Sequence, residues 1–325
     1  SPDSDVVAET AEIAKAARNL RVPIKNVWAR EDDIRGGYYR PMGLNLLSAT
    51  LNEAGLPHAW LHRVVTKSQL SNSEFDFFVS EGIDAASVAG ARDLPYSVPN
   101  LHVELHSPER GPTVQWMRSV GNSNVCFAVE GFVDELAHRA RMDPVEYRRR
   151  LLAGKSESRR LLNVLEVVAD ESGWGQTLPA GRARGVAVHD FWGTKVAQVA
   201  EVSVQGNRLH VHRVTCAVDC GSIVNPDGVR AQMEGGILFG LTAALYGEIT
   251  FTNGQVDQSN FHDYPLLRMD AAPEIDVHLI RSSEAPGGVG EVAVPHIAPA
   301  ICNAIYAACG RRIRKLPLSA SGLEV

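Results

Sequence analysis

Three apolar segments in the second half of the chain place the strongest constraint on its fold. Residues 185–189, 195–204 and 209–218 have the composition of strands, and a Gln-Gly-Asn sequence at 205–207 joins the last two. A short turn of this kind between two apolar segments is typical of a β-hairpin. Strand pairs of this type, with helices in separate stretches, favour an α+β fold over a doubly wound parallel sheet.

Further helices and strands are predicted on both sides of these segments. The other predicted strands are 22–29, 44–53, 58–66, 101–105, 246–251 and 274–280, and the predicted helices are 5–20, 125–138, 144–152, 158–171, 229–246 and 296–309. The stretch at 173–184 is rich in Gly and Pro and is the most loop-like part of the chain. We therefore predict two α+β subdomains, 1–180 and 181–325.

The composition excludes several classes of partner and location. The 325 residues include 32 Lys and Arg against 38 Asp and Glu, a formal net charge of −6, without the basic stripe that binds phosphate backbones. We therefore expect no nucleic acid partner. No apolar stretch approaches the roughly 18 residues of a membrane-spanning helix. The first residue is Ser, so we expect the sequence to begin inside a longer product or at a processed end.

The cysteines and histidines do not predict a metal site built by protein side chains. Five cysteines are an odd number, which argues against a disulfide framework. The spacing His-x-x-x-His occurs at 58/62 and 102/106, but both pairs fall in predicted strands, where this spacing does not make a helical ligand pair. A zinc or iron site held by this chain is therefore disfavoured.

A glycine-rich loop with one carboxylate precedes the last predicted helix. In Gly287-Gly288-Val289-Gly290-Glu291 the glycines permit positive φ and a close approach of the backbone to a ligand, and the following helix directs amides back towards the loop. A glutamate held there can act as a general base. The alternative is an exposed glutamate in a simple turn, and the pattern alone favours that alternative.

The helix predicted at 229–246 has an unusually bare face. Gly235, Gly236 and Gly240 leave room for another backbone or for a flat ligand. On the same helix, the side-chain amide of Gln232 has the donors and the acceptor needed to pair with the edge of a heterocycle such as a pterin or a base. A solvent-facing glutamine is the alternative, and it is favoured for this residue taken alone.

Two further segments are candidates for an anion site and for a nucleophile. Arg118 stands in a loop before a predicted helix, where amides and a guanidinium can meet an anion, or it is a surface residue in a turn. Ser1 has the position of the nucleophile in an N-terminal amidohydrolase. Pro2 and the helix-capping composition that follows argue against that role.

Several motifs occur together in the order of a known family. They are ARxDDIRGGYYRP at 29–41, MRSVGNSNVCFAVEGFVDELA at 117–137, DCGSIVNPDGVRAQMEGGILFGL at 219–241, SNFHDYPLLR at 259–268 and PGGVGEVAVPHIAPAICNAI at 286–305. In these motifs the chain resembles the large, molybdenum-cofactor-binding subunit of the isoquinoline 1-oxidoreductase type, a branch of the xanthine oxidase family that also includes bacterial membrane-associated aldehyde dehydrogenases. The resemblance covers the chain essentially from end to end.

The resemblance implies roles for several of these residues. Glu291 matches the family's catalytic base at the molybdenum centre, and Gln232 matches a glutamine that hydrogen-bonds the pterin. Val292 replaces a frequent proline, and Val120 stands where a larger residue is common. The other implied cofactor-binding residues are Gly290 and Val289 beneath the metal and the loop of Arg118, Ser119, Val120 and Gly121. No protein ligand to the metal is implied, because the pterin sulfurs hold it.

The resemblance also implies partners and a second half of the site. The family's MGQG and GGFG motifs do not occur in this sequence, so the chain resembles the C-terminal part of the large subunit, and we expect another chain to supply the N-terminal half. The implied cofactors are molybdenum-molybdopterin, in the cytosine dinucleotide form, and [2Fe-2S] clusters on a small partner subunit, with a cytochrome c subunit as a further candidate partner. The expected location is the bacterial periplasm or membrane, with the cytoplasm as the alternative.

The function implied is oxidation of an N-heterocycle or an aldehyde with water as the oxygen source. Residues 1–180 then form the C-terminal portion of the first cofactor-binding subdomain, and 181–325 form the second, which carries the Gly-Val-Gly-Glu loop. Two alternatives stay open, namely a non-catalytic assembly half of such a complex and the N-terminal-Ser amidohydrolase.

Overall fold

The computed structural model describes residues 3–71, 73 and 75–325, so Ser1 and the amidohydrolase alternative that depends on it lie outside the described residues. The helices are α1 Asp3–Ala17, α2 Arg30–Gly36, α3 Asn122–Arg139, α4 Pro144–Ala153, α5 Arg159–Glu171, α6 Pro226–Leu245 and α7 Val294–Cys309. The strands are β1 Gly43–Leu51, β2 Pro57–Thr66, β3 Val79–Ser80, β4 Ile83–Asp84, β5 Asn100–His106, β6 Arg182–Phe191, β7 Thr194–Gln205, β8 Arg208–Asp219, β9 Phe251–Thr252, β10 Gln255–Val256 and β11 Glu274–Leu279.

A four-stranded sheet in the order β11-β8-β7-β6 forms the centre of the second half. The predicted hairpin is confirmed, because β7 and β8 pair antiparallel with Gln205 opposite Arg208, while β11 joins β8 in parallel. Val196 and Ala200 of β7 belong to the core formed with α6 and α7, and Ala197 and Val199 belong to the core formed with α5. Helices thus cover both faces of this sheet, and the α+β prediction is confirmed.

A second, three-stranded sheet in the order β1-β2-β5 belongs to the first half. Strands β1 and β2 are antiparallel and β2 and β5 are parallel. Trp60 and Val64 of β2 are buried, and the Trp60 ring meets Phe132 of α3 edge-on with centroids 4.8 Å apart. One face of this sheet therefore packs on α3.

The predicted boundary near residue 181 falls in the loop between α5 and β6. Buried side chains on its two sides share one core, since Val164 and Leu165 of α5 belong to the same cluster as Val186 and Val199 of the four-stranded sheet. The division into 1–180 and 181–325 stays a prediction. None of the helices in the described part of the chain is both long enough and apolar enough to cross a bilayer.

A buried carboxylate on α3 joins several elements. One oxygen of Glu130 accepts a hydrogen bond from the Tyr96 hydroxyl at 2.5 Å, and the other accepts from the Arg148 Nε of α4 at 2.8 Å and from the Val188 amide of β6 at 2.9 Å. The Asn303 side chain of α7 donates to the Glu130 carbonyl at 3.3 Å. Burial raises the pKa of Tyr96 well above its usual value, so its hydroxyl keeps the proton that it donates.

Two predicted strands are wrong. Residues 22–29 form no strand, because Pro23 lacks an amide hydrogen and no neighbouring strand pairs with this segment in the described part of the chain. Of 246–251, only Phe251 lies in a strand, since α6 runs to Leu245 and the two-residue strands β9 and β10 close around Asn253 and Gly254, which have φ of 52° and 81°.

We expect Glu130→Gln to lower the free energy of unfolding by about 3–5 kcal/mol, because it removes the carboxylate that pairs directly with the fully buried Arg148. Chemical denaturation of the purified protein measures the loss. Glu166→Gln is the matched control, since it removes a half-exposed carboxylate 2.6 Å from Arg149 and should cost no more than about 1 kcal/mol. Equal losses for the two variants would contradict the prediction.

Candidate functional site

Arg118 connects three segments that are distant in the sequence. Its Nε donates to the Gly290 carbonyl at 2.5 Å, and its Nη2 donates to the side-chain oxygen of Gln232 on α6 at 2.8 Å. Its guanidinium also lies 5.9 Å from the ring centroid of Phe239. The structure thus brings together the loop at 118–121, the helix that carries Gln232 and the loop that carries Glu291, which are the three candidate segments of the sequence.

The loop before α3 has an unusual backbone. Ser119 and Val120 have φ of 85° and 52°, a region that non-glycine residues seldom occupy and that costs about 1–3 kcal/mol each. The Val120 amide bonds to the Met117 carbonyl at 2.7 Å, which closes the turn. The buried Ser119 hydroxyl donates to the Glu291 carbonyl at 2.6 Å. The strained loop is therefore fixed directly to the backbone of the candidate base.

One carboxylate oxygen of Glu291 has unusual surroundings. Its Oε2 is buried and has no hydrogen-bond partner in the described part of the chain. Buried polar atoms are nearly always paired, and the exceptions concentrate where another group or a reaction uses them. An oxygen with no donor on it keeps its lone pairs available, so Glu291 fits a proton acceptor better than it fits the exposed turn residue of the alternative.

The glycines of this loop serve two purposes. A Cβ on Gly287 would lie 2.4 Å from the Thr194 hydroxyl, and one on Gly288 would lie 3.2 Å from the Trp192 ring, so both glycines permit close packing on the β6–β7 turn. A Cβ on Gly290 would meet nothing within 4 Å. None of the three has the positive φ that the sequence suggested. Only Gly290 therefore leaves open space next to Glu291.

The bare face of α6 is explained mainly by helix packing. A Cβ on Gly236 would lie 2.8 Å from the Ala293 Cβ, and one on Gly240 would lie 2.7 Å from the Val294 carbonyl oxygen, so these glycines let α6 cross the start of α7 closely. A Cβ on Gly235 would meet nothing within 4 Å. The open face is thus restricted to Gly235 and the exposed Gln232 beside it.

Two of the predicted cofactor-binding residues, Val289 and Gly121, pack against other parts of the protein. The Val289 side chain packs against the core beneath the four-stranded sheet. Gly121 is buried, and a Cβ there would lie 2.0 Å from the Ala86 carbonyl oxygen, which explains the glycine by packing. For both residues, contact with a ligand through the backbone stays a prediction.

Sequence reasoning missed the residues that hold the Glu291 loop. The Thr194 hydroxyl donates to the Gly288 carbonyl at 2.7 Å, and the Gln198 amide donates to the Ala293 carbonyl at 2.8 Å. The Gly288 amide bonds to the Trp192 carbonyl at 3.0 Å. The sequence pattern marks Gln198 as unusual, since it is a polar residue in a strand whose middle is otherwise buried and mostly apolar. Nothing in the sequence marks Thr194 or Trp192 in this way.

Two buried histidines lie close to each other, one on β6 and one on α7. His189 of β6 donates from Nε2 to the Asn122 side chain at 2.7 Å, and its ring centroid lies 6.0 Å from that of His296 on α7. Burial lowers the pKa of His189 to about 4 and that of His296 to about 3, with the neighbouring His189 adding to the second shift. Both rings are therefore neutral at ordinary pH. No group of three or more His, Cys, Asp or Glu in the described residues is arranged to hold a metal ion.

Stability should fall as the pH drops from about 6.5 to 4. Above the ordinary histidine pKa of about 6.5, these histidines are neutral in both the folded and the unfolded protein. Below that pH the histidines of the unfolded chain bind protons, whereas buried His189 and His296 stay neutral down to about pH 4 and 3. Each histidine then contributes a slope of up to about 1.4 kcal/mol per pH unit. In denaturation series between pH 7 and 4.5, His296→Gln should flatten this dependence, and His58→Gln, at an exposed position, should not. Equal slopes for His296→Gln and the unsubstituted protein would refute this assignment.

Comparison with known proteins shows the family to which the chain is similar. Two family models, each described as a molybdopterin cofactor-binding domain, match residues 4–152 and 171–273. The isoquinoline 1-oxidoreductase subunit beta of Brevundimonas diminuta is 35% identical in an alignment of 314 residues that covers 94% of this chain and 40% of the relative. A membrane-bound aldehyde dehydrogenase of Gluconacetobacter polyoxogenes is 29% identical in an alignment of 327 residues that covers 91% of this chain and 41% of the relative.

A solved structure shares the fold. The quinoline 2-oxidoreductase of Pseudomonas putida 86 superposes with a TM-score of 0.77 at 13% identity, covering 94% of this chain and 64% of that chain. Of the two sequence relatives, the chain spans only about two fifths of the length.

Proposed function

Because the chain belongs to the molybdopterin cofactor-binding family of the xanthine oxidase group, we propose that it is the catalytic part of a molybdenum hydroxylase that oxidises an N-heterocycle or an aldehyde with water as the oxygen source. The observation that carries the proposal is the unpartnered, buried Oε2 of Glu291 beside the open space at Gly290. The isoquinoline, quinoline and aldehyde relatives support the substrate class.

The residues present fit a molybdenum-pterin cofactor. The site offers one free carboxylate oxygen on Glu291 and two backbone positions, Gly290 and Gly235, that leave room for a bulky group. Arg118 lies between them and brings a positive charge that suits an anionic group. When bound, the cofactor supplies the two-electron redox chemistry and its own ligands to the metal.

The chain's own residues hold the cofactor and move one proton. Gln232 uses its side-chain oxygen to accept from Arg118, so its NH₂ group is the part that donates to the pterin edge. Glu291 accepts a proton at Oε2 as substrate is oxidised. Ser119 fixes the Glu291 backbone, from which the carboxylate projects, through its hydroxyl. Preorganisation of this kind is what makes a general base effective.

Several parts of the complete enzyme lie outside this chain. Since the chain spans about 40% of the isoquinoline 1-oxidoreductase subunit beta, we propose that another polypeptide segment supplies the remaining cofactor pocket. We further propose that [2Fe-2S] clusters on a small subunit would accept the electrons, with a cytochrome c subunit as a further candidate partner. We also propose the cytosine dinucleotide form of the cofactor. The membrane-bound relative supports a periplasmic or membrane-associated location over the cytoplasmic alternative.

Glu291→Gln should leave folding and molybdenum content nearly unchanged and lower turnover by roughly 10²–10⁴-fold, about 3–5 kcal/mol of barrier, because the amide does not accept the proton. Steady-state kinetics per bound molybdenum in the assembled enzyme measure the change. Glu284→Gln makes the same substitution at an exposed position of the preceding loop and should keep full turnover. Full turnover in Glu291→Gln would favour the non-catalytic assembly half instead.

Gln232→Leu should weaken cofactor retention more than the chemical step. It removes the donor to the pterin and the acceptor for Arg118, and each unpaired polar group costs about 1–3 kcal/mol. Molybdenum and pterin, measured by mass spectrometry and fluorescence, should fall in proportion while turnover per metal stays close to that of the parent protein. Glu234→Leu, at an exposed position of the same helix, should retain the cofactor. Full cofactor with lost turnover per metal would instead place Gln232 in catalysis.

A further inference from the structure

Strand β1 has an open edge. It ends the sheet order β1-β2-β5, so within the described residues only β2 pairs with it. Alternate backbone amides and carbonyls of an edge strand point away from its single neighbour and stay unpaired within the sheet. Over the nine residues of β1 these groups form a long hydrogen-bonding edge.

The side chains around this edge are apolar and exposed. Met42 is 90% exposed, Leu44 67% and Leu46 51%. Leu44 and Leu46 lie on the face of the sheet opposite α3, since their neighbours Asn45 and Leu47 are the half-buried ones. An isolated exposed leucine is ordinary, but three large apolar residues at alternate positions make a continuous stripe.

The edge also lacks the features that normally block pairing. Natural edge strands are short, or carry Lys, Pro or a bulge in the middle. The sequence of β1, Gly-Leu-Asn-Leu-Leu-Ser-Ala-Thr-Leu, has no charge and no proline, and its one irregularity lies at the far end, between Thr50 and Leu51. A long, uncharged, apolar edge is the kind of surface to which another chain adds a strand.

The edge is continuous with the candidate active site. The Asn45 side chain donates to that of Asn124 at 2.9 Å, and Gly43 packs directly on Asn124, because a Cβ on Gly43 would lie 1.8 Å from its nitrogen. Asn124 stands in the first turn of α3, immediately after the loop of Ser119 and Val120. The start of β1 therefore lies next to the loop of Ser119 and Val120.

We propose that β1 is the docking edge for a β-strand of the polypeptide segment that supplies the rest of the molybdenum subunit. This inference rests on the proposed function, which requires that segment. The segment accounts for about three fifths of the isoquinoline 1-oxidoreductase relative, of which this chain spans 40%, so it is large enough to contribute a strand. The added strand enlarges the three-stranded sheet to four strands and places its own side chains beside Leu44 and Leu46 on the exposed face.

Hydrogen exchange on the assembled protein tests the edge without any substitution. For this experiment, the rest of the subunit is expressed as a separate polypeptide together with this chain. In the assembly, the outward amides between Leu44 and Thr50 should exchange about 100-fold or more slowly than unprotected amides, as the β2-facing ones do. Rapid exchange of alternate β1 amides in the assembly would overturn the proposal. Protection of all β1 amides in the chain alone, with a doubled mass, would show β1 pairing with a second copy and would also overturn it.

A charge-insertion variant tests the apolar stripe. Leu44→Lys with Leu46→Lys should weaken association with the separate polypeptide at least 10-fold in a binding titration, because lysines on an edge strand oppose pairing. Leu266→Lys with Met269→Lys places the same charges at positions that are 44% and 97% exposed outside the sheet and should bind like the parent. Circular dichroism verifies that both variants fold. Undiminished association of the β1 variant, or no association of the parent chain, would refute the docking edge.

The outcomes separate this inference from the proposed function. Association is measured without cofactor or substrate, so it does not depend on Glu291. Loss of turnover in Glu291→Gln together with normal binding of the β1 variant would refute the docking edge alone. Full turnover in Glu291→Gln together with lost binding of the β1 variant would refute the catalytic assignment alone.

Discussion

The buried ion pair of Glu130 and Arg148 fixes the frame on which the candidate site depends. Glu130 stands on α3 and bonds to α4, to β6 and, through its carbonyl, to Asn303 on α7. The loop of Ser119 and Val120 leads into α3, and the Glu291 loop leads into α7. One charged group in the core thus joins the helices that carry the two loops, and the bonds from Arg118 and Ser119 join the loops directly. A buried pair is costly to desolvate, and its full set of hydrogen bonds is what makes it tolerable.

The elements that sequence reasoning located correctly are those with strong local signals. The β7–β8 hairpin has two long apolar segments and a Gly turn, and α5 and α7 have clear apolar spacing. The segment at 22–29 has the composition of a strand but no neighbour to pair with in the described part of the chain. Strand formation needs a partner that local composition does not reveal, whereas a helix makes its hydrogen bonds internally. The errors at 22–29 and 246–251 follow from this difference.

The three candidate segments could be located from the sequence, but the structural surroundings of their residues could not. The structure brings Arg118, Gln232 and the Glu291 loop together, as the family motifs implied. The motifs did not show that Gly287, Gly236 and Gly240 serve packing while Gly290 and Gly235 leave open space. A glycine looks the same in a sequence whether another backbone or a ligand approaches it. Contacts from distant strands, such as Thr194 to Gly288, had no local signal at all.

The strained features of the site persist because the surrounding core is rigid. Positive φ at Ser119 and Val120 and an unpaired buried oxygen on Glu291 are each unfavourable. Such features persist only where the surroundings prevent relaxation, and here Ser119, Thr194 and Gln198 bond the loop backbone on several sides. These bonds fix the backbone from which the Glu291 carboxylate projects, so the loop as a whole does not relax. The stability supplied by the two-sided core of the four-stranded sheet is thus what allows the unfavourable features of the loop to persist.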